Sequence, residues 1–337
     1  MPENKDNLLS VEDLKVYFPL TKGITKKKIG YVRAVDDVSV EVPKGKTIGV
    51  VGESGCGKTT TGKAILRMVE ATDGKIFFHN EDVLSMSPKK HKTIRRKIQM
   101  IFQDPYGSLD PRQKAASIIK EILVGDGVKR TSAEADAEVS RLLTMVGLSD
   151  EIGERYPHEM SGGQRQRVGI ARALACSPEF IICDEPVSAL DVSIQAQIIN
   201  LLTNLQKTLG LTYLFIAHDL AVVRHIADVV YVMYLGHIVE IMNSDDMYRN
   251  PMHPYTKALL SAIPVVDYNM EKTRKRIELK GEIPSPINAP TGCPFHPRCP
   301  YAKEECSKSM PVLEESGTDH KVACFYWKEI NKKQEGD

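Results

Sequence analysis

The residues with the most specific chemistry form one run, Val51-Gly52-Glu53-Ser54-Gly55-Cys56-Gly57-Lys58-Thr59-Thr60. From Gly52 to Thr59 it fits G-x-x-x-x-G-K-S/T, a loop whose backbone N–H groups converge on phosphate oxygens. Gly52, Gly55 and Gly57 let the chain curl closely, and a helix N-terminus behind the loop favours an anion there. In such a loop Lys58 reaches the β- and γ-phosphates and the Thr59 hydroxyl takes Mg²⁺. Glu53, Ser54, Cys56 and Thr60 share the nucleotide-contacting backbone. The bland alternative is a Gly-rich turn with a chance Lys. The flanks argue against it: the apolar run Thr47–Val51 reads as a buried strand, and Thr60–Val69 reads as a helix.

Further residues extend the phosphate chemistry. Phe180-Ile181-Ile182-Cys183-Asp184-Glu185 is an apolar strand ending in two carboxylates. Strand-end carboxylates lie at the ligand edge of a parallel sheet, where Asp184 would hold Mg²⁺ and Glu185 would act as general base on a water. A structural reading, with both carboxylates capping the next turn, is the competing one. Gln103 ends the strand Ile98–Phe102 before a Pro-broken loop, a weak signal by itself. Ser161-Gly162-Gly163-Gln164 opens a helix through Leu174 and makes a second anion site for the same backbone reason. His218 ends the strand Thr212–Ala217, at the same kind of position as the carboxylates, which favours a γ-phosphate contact over a structural role. Phe18 has two readings of equal weight, a ring stacked on adenine and an ordinary core aromatic.

The elements that must position these groups alternate as in an α/β protein. Residues 8–18 read as an edge strand, Leu20–Gly30 as a polar loop, and Tyr31–Val42 as a strand of period two. Asp73-Gly74 is a turn signal before a strand Lys75–Phe78. Ala115–Val124 and Ser132–Val146 read as helices, with only an approximate cap from Ser132 and Asp136, and suggest a helical subdomain inserted into the α/β core. Ser188-Ala189-Leu190-Asp191 opens a helix Val192–Leu209. Val229–Leu235 and His237–Met242 form a hairpin turning at Gly236, and the α/β portion ends near residue 245. The remainder is Pro-rich, with few strand signals and one helix, Tyr255–Ala262.

At 337 residues the chain suggests about two domains. Its 45 Lys and Arg against 44 Asp and Glu give a net charge of +1, so bulk electrostatics offers nucleic acid no special attraction. The basic clusters Lys26–Lys28, Lys89–Lys97 and Lys272–Arg276 read as solvated faces. Met1–Asp6 carries no signal-peptide pattern, and the longest apolar run, Val229–Leu235, is far short of a membrane span. A cytosolic chain is expected, with any membrane role supplied by partners.

Seven cysteines in such a chain argue against a disulfide scaffold. Cys293, Cys299, Cys306 and Cys324 crowd the tail at spacings x₅, x₆ and x₁₇, with Pro after the first two. Four thiolates can hold tetrahedral Zn²⁺ or an iron–sulfur cluster, and four ordinary thiols is the bland alternative.

Taken together, the motifs resemble the ABC (ATP-binding cassette) ATPases across roughly residues 8–245. Gly52–Thr59 match Walker A, Gln103 the Q-loop, Ser161–Gln164 the signature, Phe180–Glu185 Walker B, Ser188–Asp191 the D-loop, and His218 the switch histidine. Met160 stands where the family usually has Leu. The flanks Leu14-Lys15-Val16-Tyr17-Phe18, Gln103–Arg112 and His253-Pro254-Tyr255-Thr256, with the Cys-Pro tail, look like the oligopeptide/dipeptide and nickel importer ATPases, F-type member. The resemblance implies an α/β P-loop NTPase core over residues 1–245, a helical subdomain at about 104–165, and a small Cys-rich tail domain over 246–337. It implies ATP and Mg²⁺, the latter held by Thr59, Gln103 and Asp184, and it favours a [4Fe–4S] cluster over Zn²⁺ on the four cysteines, as a structural staple. The implied partners are a second ABC ATPase, D-type, completing each ATP site with its signature turn, two integral membrane permeases, and an extracellular solute-binding protein acting indirectly. The implied location is peripheral, on the cytoplasmic face of the membrane. The rival readings are a nickel importer ATPase, an exporter ATPase, and a soluble cassette acting on nucleic acid. One cassette per chain, a compact interval between Walker A and signature, and the neutral charge speak against the last.

Overall fold

The computed structural model describes residues 7–23, 27–125, 131–263 and 277–332. Met1–Asp6, Lys26 and Lys272–Arg276, read above, lie outside the described residues. The chain divides into two units, each with its own apolar core.

The first unit comprises Met1–Val42, Thr47–Leu84 and Ala217–Asp337. Strands β1 (Asn7–Lys22), β2 (Lys27–Pro43), β4 (Asp73–Phe78) and β5 (Glu81–Asp82) form a sheet in the order β2-β1-β4-β5. β1 and β4 are antiparallel, with Leu9 opposite Phe78 and a register shift between Glu12 and Lys15. Within the expected loop Leu20–Gly30, residues 20–22 and 27–30 are strand and 24–26 lie outside the described residues; neighbouring strands satisfy the backbone where the side chains give no apolar signal. The expected turn at Asp73-Gly74 likewise lies inside β4.

Strand β3 (Thr47–Val51) pairs in parallel with β9 (Val229–Tyr234), and β9 turns back antiparallel into β10 (His237–Asn243). The turn residues Leu235 and Gly236 both have positive φ, 46° and 86°, the mirror-image turn that suits strand twist. β12 (His320–Val322) pairs antiparallel with β10, and β11 (Glu314–Gly317) pairs antiparallel with β12. These two short polar strands were invisible in the sequence, since pairing rather than apolar pattern defines them. Helices α1 (Lys58–Ile65), α8 (Leu220–Ile226), α9 (Asp246–Arg249) and α10 (Pro254–Ser261) also belong here, with short helices at Glu304–Lys308 and Trp327–Lys332.

The second unit comprises Pro43–Lys46 and Ser85–Ile216. Its strands β6 (Ile98–Ile101), β7 (Phe180–Asp184) and β8 (Thr212–Ala217) run parallel, with Phe180 opposite both Ile98 and Thr212. β7 is buried along its whole length, as a strand in a parallel sheet must be. Helices α2 (Pro88–Lys97), α3 (Ala115–Gly125), α4 (Ser132–Met145), α5 (Asp150–Gly153), α6 (Gly162–Leu174) and α7 (Val192–Leu209) complete it. The basic run Lys89–Lys97 is helix α2, which buries Ile94 and pairs Lys97 with Glu179 at 2.8 Å. α4 buries Ala135, Val139, Leu142 and Leu143, one helical face. Its cap is Thr131 with Glu134 in a reciprocal capping box, not Ser132 with Asp136. Among the described residues no helix is long and apolar enough to cross a membrane.

A buried polar cluster ties β10 to the tail. Glu240 is fully buried and accepts from the Met252 N–H at 2.6 Å and the His253 N–H at 3.1 Å, with His320 Nε2 at 2.8 Å. Burial lowers the pKa of His253 to about 4, against the pull of Glu240. A histidine in the unfolded chain titrates near ~6.5, so as pH falls through that value protons bind the unfolded chain first. The stability present above that pH should therefore drain away toward pH 4, by about 1.4 kcal/mol per unit. Thermal unfolding followed from neutral pH to 5 should show this slope, and His253→Asn should flatten it. Asn keeps an acceptor for the Tyr255 N–H that His253 Nδ1 now caps at 3.1 Å.

Candidate functional site

The phosphate loop leaves β3 and enters α1 as its spacing requires. Gly57 is the N-cap of α1 at φ 108°, with no side-chain cap, so the helix's first N–H groups are left to the loop. Helix α1 begins at Lys58, two residues before the expected start. A Cβ on Gly52 would lie 2.1 Å from the Met233 carbonyl oxygen, and one on Gly57 would lie 2.2 Å from the Ala34 carbonyl oxygen. Main chain thus presses on main chain at both positions, and only glycine fits.

Lys58 is 4% exposed, and its Nζ donates to the Gly52 carbonyl at 2.7 Å and the Glu53 carbonyl at 3.0 Å. The ammonium is thus held against the loop's own carbonyls. The Cys56 carbonyl accepts from the Gly236 N–H at 2.9 Å, which fastens the loop to the β9–β10 turn. Burial pushes the Cys56 thiol up, so it stays neutral and packs rather than reacts. Ser54 and Gly55 are exposed, and Thr59 and Thr60 are half-buried on the first turn of α1.

In the same unit Phe18 is 41% exposed on β1, so it is not a core aromatic. Its neighbour Tyr17 lies 6.3 Å from Tyr31 between ring centroids. His218 is exposed immediately before Asp219, whose side chain caps α8 by accepting from the Ala221 N–H at 2.8 Å.

The second unit gathers the carboxylates. Asp184 ends β7 opposite Ile216 and is buried. Glu185 follows with φ 45°, a left-handed backbone that a glutamate rarely adopts and that is held by its N–H donating to the Ile216 carbonyl at 2.9 Å. Gln103 Nε2 donates to Glu185 Oε2 at 2.9 Å, so the structure brings together two residues 82 apart that the sequence could only name separately. The Ser188 hydroxyl closes the turn on the Glu185 carbonyl at 3.1 Å.

Ser161 caps α6 in a capping box: its hydroxyl accepts from the Gln164 N–H at 3.2 Å, and Gln164 Oε1 accepts from the Ser161 N–H at 3.0 Å. The two glycines have a packing reason. A Cβ on Gly162 would meet Leu190 at 3.0 Å, and one on Gly163 would meet Ile194 at 2.7 Å. The signature turn therefore lies directly against the start of α7. Met160, where the resemblance has Leu, is buried.

The tail corrects an expectation. Cys293, Cys299, Cys306 and Cys324 line one cavity of ≈ 20 Å³, room for about one water and not for a four-iron cube. Burial, reinforced by the neighbouring sulfurs, raises Cys293 to about 12 and Cys299 to about 11, and raises Cys324 as well. Among the described residues no group of three or more His, Cys, Asp or Glu side chains could hold a metal ion. The [4Fe–4S] cluster, with its zinc alternative, is withdrawn on this finding.

Two contacts of the phosphate loop were not read from the sequence. Tyr255, inside the His-Pro-Tyr-Thr motif, and Arg298, between Cys293 and Cys299, both reach Glu53. The only sequence hint was that both lie in distinctive stretches of the tail.

Comparison with known proteins agrees with this geometry. Residues 35–188 match the family model described as ABC transporter, and residues 239–306 match the oligopeptide/dipeptide transporter C-terminal region. The chain is 52% identical to the oligopeptide transport ATP-binding protein AppF of Bacillus subtilis, over 96% of this chain and 98% of that protein. It is 51% identical to the oligopeptide transport ATP-binding protein OppF of Escherichia coli, over 96% of this chain and 97% of that protein. Among solved structures, a dimeric ATP-binding cassette in a post-hydrolysis state with ADP and Pi is 25% identical, with a TM-score of 0.62 over 70% of this chain and 98% of that one.

Proposed function

The chain belongs to the ABC transporter family, in the branch with the oligopeptide/dipeptide C-terminal region, and from that premise we propose that it powers peptide import through a membrane transporter. It is an ATPase of the α/β ABC fold, working with ATP and Mg²⁺. The observation that carries the solute class is likeness at about half of all positions along both the cassette and the tail, to relatives named for oligopeptide transport.

The residues take the following roles in this reading. The loop Gly52–Thr60 and the Lys58 ammonium bind the phosphates, and Phe18 stacks on the adenine. Thr59, Gln103 and Asp184 would hold Mg²⁺, since oxygen donors of this kind suit that ion, and the cation would supply charge neutralisation to the phosphates. Glu185 accepts a proton from the attacking water, oriented by Gln103, and His218 contacts the γ-phosphate. Ser161, Gly162, Gly163 and Gln164 face the γ-phosphate held by a partner ATPase of D type, so ATP joins two subunits and hydrolysis releases them. Residues 1–245 form the ATPase domain, with a helical subdomain at about 104–165, and 246–337 form the Cys-rich C-terminal module. The subunit sits peripherally on the cytoplasmic face, where ATP is supplied, bound to two permease subunits and served indirectly by an extracellular binding protein.

Reconstitution tests the reading. With permeases, a D-type partner and a peptide-binding protein in vesicles, the subunit should couple labelled oligopeptide uptake to ATP hydrolysis. Its hydrolysis rate per subunit should rise with subunit concentration. Uptake of nickel without peptide would reassign the solute, and retention of nucleic acid in place of permeases would overturn the transporter role.

A further inference from the structure

Glu53, the second residue of the phosphate loop, is held through three of its groups. Its N–H donates to Tyr255 Oη at 2.9 Å, and its carbonyl accepts from Lys58 Nζ at 3.0 Å. Its carboxylate receives both ends of one guanidinium, Arg298 Nη1 to Oε2 at 2.7 Å and Nη2 to Oε1 at 3.2 Å. The Arg298 side chain is only 9% exposed.

The base of this fork is rigid. Arg298 ends a helical turn, His296–Arg298, that follows Phe295, a fully buried ring. Phe295 packs edge-on against Tyr234 at 5.2 Å and 86°, and lies 5.4 Å from Tyr255. Tyr234 and Tyr255 are themselves edge-to-face at 4.7 Å. Such pairs add directional packing to burial. The tail therefore delivers two polar groups to one loop residue from a single aromatic platform.

A solvent-exposed ion pair carries little energy, but a desolvated bidentate one is costly to break, because the surviving charge is left without a partner. Were the pair only a staple for the tail, its loss would lower stability and leave nucleotide affinity alone. The third hold on Glu53 points elsewhere. The carbonyl that receives Lys58 belongs to the residue the tail immobilises, so any shift of Glu53 moves the ammonium and the N–H groups that follow.

We propose that Arg298 and Tyr255 are positioning residues of the phosphate loop, acting through Glu53, so that the order of the C-terminal tail and nucleotide affinity are coupled. The proposal rests on the reading that this loop binds ATP. Neither residue touches phosphate. Because such coupling is reciprocal, nucleotide bound at the loop should in turn protect the tail.

The test uses the full chain and MgATP. Calorimetric titration of Arg298→Ala should show roughly tenfold weaker binding, the loss that corresponds to about 1.4 kcal/mol. In the assembled complex the change should appear in KM, with kcat within about twofold of the parent. Glu53→Gln should weaken binding similarly, and the double variant should be no weaker than either single one, as expected of groups acting through one contact. Arg298→Lys, which retains charge but not the fork, should recover part of the affinity. MgATP should slow tryptic cleavage of the tail in the parent and not in Arg298→Ala. If Arg298→Ala does not fold, Tyr255→Phe removes a single hydroxyl from the same platform and should weaken binding about threefold. Parent-like MgATP affinity in folded Arg298→Ala, or in Tyr255→Phe where it replaces that variant, overturns the inference alone. A parent chain that does not bind MgATP overturns the inference and the ATP-binding reading together.

Discussion

Glu185→Gln should lower steady-state ATP turnover by about 10²–10⁴-fold while leaving nucleotide binding intact. The geometry makes this a clean substitution. Glu185 is held by its own backbone: its N–H bonds the Ile216 carbonyl, and its carbonyl accepts from the Ser188 N–H and hydroxyl. Gln keeps these bonds and the same side-chain shape. Its amide oxygen can still accept from Gln103 Nε2, so the partner that orients the group is kept too. What the amide loses is the ability to take a proton from water. Turnover should be measured on the assembled complex, with unfolding temperature as a control and nucleotide retention as the binding readout. A variant that binds MgATP and turns over within a few-fold of the parent would remove Glu185 from the general-base role. Loss of binding along with turnover would indicate that the group holds nucleotide instead.

The chemistry of this chain was legible because its signals are local. The phosphate loop, the strand-end carboxylates and the signature turn each occupy ten residues or fewer, and short spacing fixes what a backbone can do. β3, α7 and β8 fall at their expected bounds, since continuous apolar runs or helical periodicity end there at a polar residue or Gly. Elements defined by pairing were missed. β11 and β12 exist because β10 offers an edge, and the polar ends of β1 and β2 extend because each has a neighbour. Helix α2 was hidden by its charge: seven of its ten residues are Lys, Arg or His, in PKKHKTIRRK, and a single buried Ile94 gives little periodicity. Long-range contacts could not be paired from the sequence, as Glu53 lies 245 residues from Arg298 and 202 from Tyr255. The cysteines misled for a related reason. Their crowding in sequence is real, and so is their shared cavity, but ligation also needs room, and a cavity of ≈ 20 Å³ does not supply it.

Gly52→Ala and Gly57→Ala should each abolish measurable MgATP binding and cost roughly 4 kcal/mol of stability, at the severe end for single substitutions. A Cβ at Gly52 would sit 2.1 Å from the Met233 carbonyl oxygen and 2.8 Å from Cys56 Sγ, and one at Gly57 would sit 2.2 Å from the Ala34 carbonyl oxygen. Neither obstacle is the tip of a flexible side chain. Relief requires moving β9 or β2 main chain, or moving the loop, and moving the loop carries the Lys58 ammonium off its two carbonyls. Gly55 supplies the contrast. It too has positive φ, 80°, but nothing lies within 4 Å of its Cβ position. Gly55→Ala should therefore show only the backbone strain of a left-handed alanine, about 1–2 kcal/mol, and keep MgATP binding within about tenfold of the parent. Thermal unfolding and calorimetric titration of the three variants decide the matter. Equal losses at all three positions would mean that backbone conformation alone governs the loop. A stable, nucleotide-binding Gly57→Ala would show that the loop is not pinned to the Ala34 carbonyl, and the rigid cradle drawn from that contact would have to be given up.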